Sequence, residues 1–224
     1  NHVKKGVKPV NWCFDCGSAL AEAEIEYQDK TSPAIDVAFD CVDSHAVAQK
    51  FGVDGYQTIA VPIWTTTPWT IPANRAVSLH PELSYALVKG ASKLLVVAAS
   101  MVEDVMARLE VADFEVIGNC DGLALENQAL QHPLFDIQVP IIMGEHVNTE
   151  AGTGAVHTAP GHGVDDFVVG KKYGLEVYNP VDSDGVYLPD TPMFAGQHVW
   201  KANKTVVEAL ADAGQLLHHE NIRH

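Results

Sequence analysis

The chain has 224 residues, 47% of them apolar and so enough for a sizeable core, while 14 basic against 29 acidic side chains give a formal charge of -15 at pH 7. That balance excludes a broad basic face of the kind that grips a nucleic-acid backbone, so any nucleic-acid contact has to be local. Four cysteines without a repeating framework exclude a disulfide-built domain and point to a reducing, cytoplasmic setting, and the longest apolar stretch, residues 94–102, is too short to span a bilayer.

The first residues, NHVKKGVKP, lack the apolar segment of a secretory signal, and with no initiator methionine the chain reads as a piece of something longer. In WCFDC, Cys13 and Cys16 have the spacing of half a zinc ribbon. A structural site needs four ligands; Cys41 and Cys120 are isolated, and His218, His219 and His224 are weak candidates, so the partner pair is expected beyond His224.

Residues 21–27 alternate with period two, and after the turn signal DKTSP the positions Ile35, Val37 and Phe39 alternate again, which predicts a hairpin with one wet face. Asp43 or Ser44 caps a short helix that runs through Lys50 and closes at Gly52, and residues 56–65 form a buried strand. Short β-branched runs follow at 76–79, 84–89, 93–99, 114–118, 139–143 and 154–158. Among these later runs, helices are predicted over 100–109, 165–173 and 202–213. Many short strands with few helices predict one mainly β domain, a closed or nearly closed barrel decorated by helices rather than a doubly wound sheet.

Two stretches carry polar chemistry. WTTTPWTIPAN ends the strand at 56–65 in Thr65, Thr66 and Thr67, whose hydroxyls both donate and accept, on a loop stiffened by Pro68 and Pro72. Such a tract can hold a water and a ligand's polar atoms; equally, threonines are good strand residues and Thr-Pro pairs mark turns. GTGAVHTAPGHGVDDF packs four glycines and a proline around His157, His162, Asp165 and Asp166, which lets backbone approach a ligand closely. Either aspartate can cap the helix that follows, while its neighbour faces a pocket as an ionised partner for an ammonium group. His157, His162 and Asp166 as metal ligands match no standard zinc spacing. No G-x-S-x-G elbow, no Walker loop and no cysteine beside a histidine occurs, so a covalent nucleophile is not indicated and a positioned water is the remaining option.

At these two motifs the chain closely resembles the editing domain, the large connective peptide 1 insertion, of bacterial isoleucyl-tRNA synthetases. The resemblance runs over essentially the whole chain, through KPVNWCFDCGSALAEAEIEY and KYGLEVYNPVDSDGVY. It is specific: leucine and valine relatives have an arginine at the place of Thr67, and their second motif does not read HTAPGHG. Val164 departs from the proline or glutamate of many relatives, and the signatures for amino-acid activation are absent, so aminoacylation is not expected.

The resemblance implies a closed or nearly closed barrel at residues 31–215, preceded by a stem with the half zinc ribbon at 1–30 and followed by a truncated returning stem at 216–224. It implies hydrolysis of valine esters on tRNA(Ile), and of valyl-adenylate, with the aminoacylated 3′ end, valine and the remaining domains of a parent synthetase as partners. The fragment would be a monomer, without a membrane and without a cofactor for editing, and a structural zinc would belong to the parent enzyme. A single pocket rejects a substrate smaller by one methylene too weakly, a limit for which isoleucyl-tRNA synthetase is itself the worked example. By the resemblance, Thr65, Thr66 and Thr67 line the pocket and position the water and terminal ribose, with Asn74 supporting that loop. Asp166 holds the α-ammonium, and His157 contacts the aminoacyl-ribose and forms the wall that isoleucine's extra methyl strikes. Trp64, Thr158, Ala159, His162 and Asp165 complete the substrate-binding set, Trp69 is packing, and Arg75, Lys171 and Lys172 serve as local cations for tRNA. A binding module that captures the end without turnover is the rival, and a metal-dependent hydrolase built on His157, His162 and Asp166 is a third reading.

Overall fold

The computed structural model describes residues 6–26, 28–54 and 57–223. Tyr27 and Tyr56, expected at strand ends, and His224, a weak ligand candidate, lie outside the described residues. In chain order the elements are β1 (Asn11–Cys13), β2 (Ser18–Leu20), β3 (Thr31–Asp40), α1 (Ser44–Lys50), β4 (Ile59–Thr65), β5 (Ala76–Leu79), β6 (Ser84–Lys89) and β7 (Leu94–Ala98). There follow α2 (Val102–Arg108), β8 (Glu115–Asp121), β9 (Ala129–Gln131), β10 (Gln138–Met143), β11 (Ala155–Thr158), α3 (Val164–Lys172), α4 (Val199–Asp212) and β12 (Leu216–Arg223).

The strands form a β1-β2 ribbon, a four-stranded sheet ordered β11-β5-β10-β9 and a six-stranded sheet ordered β12-β3-β4-β7-β6-β8. The chain is mainly β with peripheral helices, as expected, but the expected barrel is not closed among the described residues. A bridge between Cys41 and Leu130 links the two larger sheets, β11 packs on β4, and β12 and β8 are the outer strands of the six-stranded sheet among the described residues. A barrel needs an uninterrupted ladder. Here β4 pairs with β7 only at Ile59 and Ala60 and then turns away into the Pro68–Ala73 3-10 helix, which breaks the circuit.

β3 is the spine of the larger sheet, antiparallel to both β4 and β12. The expected hairpin at 21–39 does not form: Glu22–Glu24 is a single 3-10 turn, closed by the Glu24 carboxylate accepting the Ala21 N–H at 2.7 Å. The alternation after residue 34 belongs instead to a strand covered on both faces, so the predicted wet position Asp36 is 0% exposed. Its charge is met by Arg108, whose Nε and Nη2 donate to the two carboxylate oxygens at 2.9 and 2.8 Å. Nη2 also donates to the Gly152 carbonyl at 3.0 Å. Removing one partner of a buried pair leaves an uncompensated charge. Arg108→Ala should therefore cost about 3 kcal/mol in urea unfolding; a loss below about 1 kcal/mol would mean that water reaches Asp36.

The segment before β11 is tied down from several directions. Thr153 Oγ1 donates to the Pro62 carbonyl at 2.7 Å, its own carbonyl accepts the Ala98 N–H at 3.0 Å, and the Tyr85 hydroxyl donates to the Gly154 carbonyl at 2.6 Å. Gly154 is required twice over: its φ is +79°, and a Cβ there would sit 2.3 Å from that of Ala98. At Gly154 the missing side chain serves packing within the chain. Behind the site, α4 buries Val199, Ala202, Val206 and Leu210, a 3.6-residue stripe, against β3, β12 and the Pro68–Ala73 turn. Among the described residues, no helix is long and apolar enough to cross a membrane.

Candidate active site

β4 and β11 bring the two motifs together across a cavity of about 220 Å³ lined by Trp64, Thr65, Thr67, Thr70, Val156, His157, Ala159, His162, Gly163 and Asp166. The threonines are divided where β4 ends. Thr65 lines this cavity, Thr66 lines a larger cleft beside it, and Thr67 lines both. The Thr67 N–H donates to Thr65 Oγ1 at 3.1 Å and the two hydroxyls lie 3.2 Å apart, so the turn holds both oxygens at the strand's end.

Thr70, overlooked in the sequence, lines the cavity as well. Its hydroxyl donates to the Thr67 carbonyl at 2.9 Å, so its contact of 3.0 Å with His157 Nε2 must be accepted from an N–H on that ring nitrogen. On the far side of the ring, Asn74 Nδ2 lies 2.7 Å from His157 Nδ1 and 2.8 Å from the Ala76 carbonyl. The carbonyl fixes this atom as the amide nitrogen, so Nδ1 accepts. Both neighbours thus specify the same neutral tautomer. Burial, helped by the nearby His132 and His162, pushes the His157 pKa down to about 3. With both nitrogens occupied, this ring is a fixed wall and has no free lone pair for a water. A threonine with its hydroxyl directed inward at residue 70 has no sequence signal beyond its spacing of three from Thr67.

Opposite the wall stands Asp166, in the first turn of α3. Gly163, not an aspartate, is the N-cap of this helix, and the Asp166 carboxylate instead accepts the Ala159 N–H at 2.9 Å. Gly163 makes room for it, since a Cβ there would lie 2.8 Å from the carboxylate. Desolvation raises the Asp166 pKa above the ordinary 3.8, opposed by the Ala159 N–H and by His146. Among the described residues it is the only carboxylate lining the cavity. Asp165 is exposed and turned outward.

The other anticipated residues have supporting places. Asn74 is fully buried behind His157, and Thr158 is buried with its hydroxyl 2.7 Å from Ser78 Oγ, outside the cavity. Ala159 and His162 are lining residues; His162 packs edge-on against Trp69 with ring centroids 5.0 Å apart, and burial pushes its pKa down to about 4. Among the described residues no three His, Cys, Asp or Glu side chains converge as a metal-binding group, so His157, His162 and Asp166 do not form one. Cys13 and Cys16 share the tip of the β1-β2 ribbon, with the Cys16 N–H 3.2 Å from Cys13 Sγ. Arg75 is engaged elsewhere, donating to the Asn74 carbonyl at 2.7 Å and lying 4.1 Å from the Tyr178 ring centre.

Comparison with known proteins decides the family. A family model described as leucyl-tRNA synthetase, editing domain, matches residues 43–208. The chain belongs to this editing-domain family. Over its full length the domain is 59% identical to the isoleucine–tRNA ligase of Alkalilimnicola ehrlichii and 60% identical to that of Shewanella putrefaciens. It spans 24% of the length of each. Two solved structures share the editing-domain fold. GlLeuRS-CP1 has a TM-score of 0.64 at 16% identity, covering 82% of this chain and 97% of its own. The P. knowlesi cytosolic leucyl-tRNA synthetase editing domain has a TM-score of 0.62 at 10% identity, covering 85% of this chain and 97% of its own.

Proposed function

We propose that this editing domain hydrolyses the valine ester of mischarged tRNA(Ile), and valyl-adenylate, within an isoleucyl-tRNA synthetase. The observation that carries the reading is the pairing, across one small cavity, of a locked neutral histidine with a lone carboxylate. Asp166 takes the α-ammonium of the aminoacyl group, which places the ester carbonyl near the Thr65 and Thr67 hydroxyls. A water held there attacks the carbonyl carbon; the tetrahedral intermediate collapses with cleavage of the bond to the ribose oxygen, which takes up a proton. Because His157 has no free lone pair, the neighbouring ribose hydroxyl is the better relay for that proton, and no protein base is needed.

His157 then acts through shape. Its ring is held by Thr70 and Asn74, so an added methylene on the substrate meets a surface that cannot yield. His157→Ala should lower the preference for valyl over isoleucyl ester by about tenfold, the usual worth of a methylene in a pocket. A variant that still spares the isoleucyl ester removes His157 from the sieve. The reading is tested by calorimetric titration with non-hydrolysable amide analogues of valyl- and isoleucyl-adenosine. The valyl analogue should bind, the isoleucyl one should not, and Asp166→Asn should abolish the difference from uncharged adenosine; equal binding of both analogues refutes it.

In this reading the domain is a monomeric insert, the parent's other domains hold the body of the tRNA in the cytoplasm, and only the 3′ end enters. The chain's acidity fits that division of labour. A structural zinc at Cys13 and Cys16 would require two further ligands from the longer protein.

A further inference from the structure

The cavity of about 220 Å³ has room for an aminoacyl group but not for the nucleotides behind it, and two larger clefts share lining residues with it. One, of about 970 Å³, adjoins it at His162 and is lined by Lys8 but also by Asp15 and Asp182. The other, of about 800 Å³, adjoins it at Thr67, lies between α4 and the start of β3, and carries Lys30 and Lys204 against the single carboxylate Glu208. In a chain of charge -15 this is where phosphates meet net positive charge.

Helix α4 is built for it. One stripe is buried in the core, and a second, Asn203, Lys204 and Val207 together with Trp200, recurs at helical spacing and faces the cleft, Trp200 standing on the rim that it shares with the other cleft. Trp200 is 54% exposed, unusual for so large an apolar ring, and Lys30 Nζ lies 4.2 Å from its centre. Among the described residues Lys204 is held by an exposed contact of 3.7 Å with Glu208, a weak pair that can exchange partners. Asn203 Oδ1 accepts the Trp69 N–H at 3.0 Å, which fastens this wall to the loop that presents the threonines. The earlier candidates Arg75, Lys171 and Lys172 line neither cleft.

We propose that the cleft between α4 and β3 is the channel for the unpaired 3′ end of the tRNA, with Lys30 and Lys204 on phosphates and Trp200 as a stacking platform for a base. This rests on the editing reading. Hydrolysis of valyl-tRNA(Ile) and of 2′(3′)-O-valyl-adenosine, which lacks the upstream nucleotides, is measured for the native chain, for the double variant Lys30→Glu and Lys204→Glu, and for Trp200→Ala. On tRNA, kcat/KM should fall roughly tenfold in either variant, and the double variant should reduce the log-log salt slope by about 0.7 per lysine. The adenosine ester should be hydrolysed as by the native chain. Unchanged tRNA hydrolysis, or equal losses on both substrates, overturns the proposal, as does a comparable tRNA-specific loss in Lys8→Glu, which would move the channel to the other cleft. If the native chain hydrolyses neither ester, the editing reading itself fails and the channel falls with it.

Discussion

Asp166→Ala is expected to reduce ester hydrolysis at least about a hundredfold, the scale of losing a charge-assisted contact that orients the reacting group. The carboxylate is the cavity's sole anion among the described lining residues. It is held by the Ala159 N–H at 2.9 Å and admitted by the missing side chain of Gly163. Since Gly163 rather than Asp166 caps α3, the substitution removes one hydrogen bond to a loop amide and should cost only about 1 kcal/mol of stability. Asp166→Asn keeps an acceptor for Ala159 but no charge, so a loss similar to that of alanine assigns the effect to charge. Because burial raises the pKa above 3.8, ionised Asp166 is lost as pH falls through that raised value, and activity should decline on the same limb. Wild-type rates in the asparagine variant, or unfolding that parallels the loss in the alanine variant, would contradict this role.

The second large effect is loss of stability in mild acid. Three histidines, His132 and His157 buried and His162 half-buried, are neutral in the fold, with desolvation as the leading cause: His132 and His162 are pushed down to about 4 and His157 to about 3. His132, like His157, has both nitrogens committed: Nδ1 accepts the N–H groups of Leu134 and Phe135, each at 3.1 Å, and Nε2 donates to the Ile71 carbonyl at 3.0 Å. Once the pH drops below the unfolded value of about 6.5, the unfolded chain takes up protons that the fold refuses. Stability is therefore complete above about 6.5 and is lost toward the folded values near 4, at up to roughly 1.4 kcal/mol per pH unit for each histidine. Three such groups would consume much of a typical margin of about 5 to 15 kcal/mol. Asp166, with its raised pKa, works in the opposite sense and offsets part of this. Urea midpoints measured from pH 7.5 to 5, as chosen conditions of about that range, should fall steadily below neutrality. A flat profile would mean that the rings admit water and protons.

Strands with β-branched cores were legible because their chemistry is local: Ala76–Leu79 and Ser84–Lys89 are strands at the predicted bounds. β12 was not, because LLHHENIR has little strand propensity and becomes a strand only by pairing with β3. The Ala21–Glu26 alternation misled for the converse reason, since alternation signals a strand only where one face has a partner to cover it. Period-two reading also cannot tell a half-wet strand from one buried on both faces, and what covers Asp36 is Arg108, 72 positions away. The two site motifs were visible as dense polar tracts. Invisible was the division of labour within them, in which Thr66 turns away, Thr70 turns in and Asn74 works from behind the histidine, because that depends on where β4 bends. Closure of the barrel was not legible, because strand count and spacing do not reveal whether a ladder closes.

The central claim, that a size-limited cavity hydrolyses the smaller aminoacyl ester, is tested most directly by deacylation of valyl-tRNA(Ile) and isoleucyl-tRNA(Ile) by this chain, with Asp166→Ala alongside. The account predicts release of valine, sparing of the isoleucyl ester and loss of release in the variant. Hydrolysis of both esters at similar rates, or of neither by a folded sample, would contradict it.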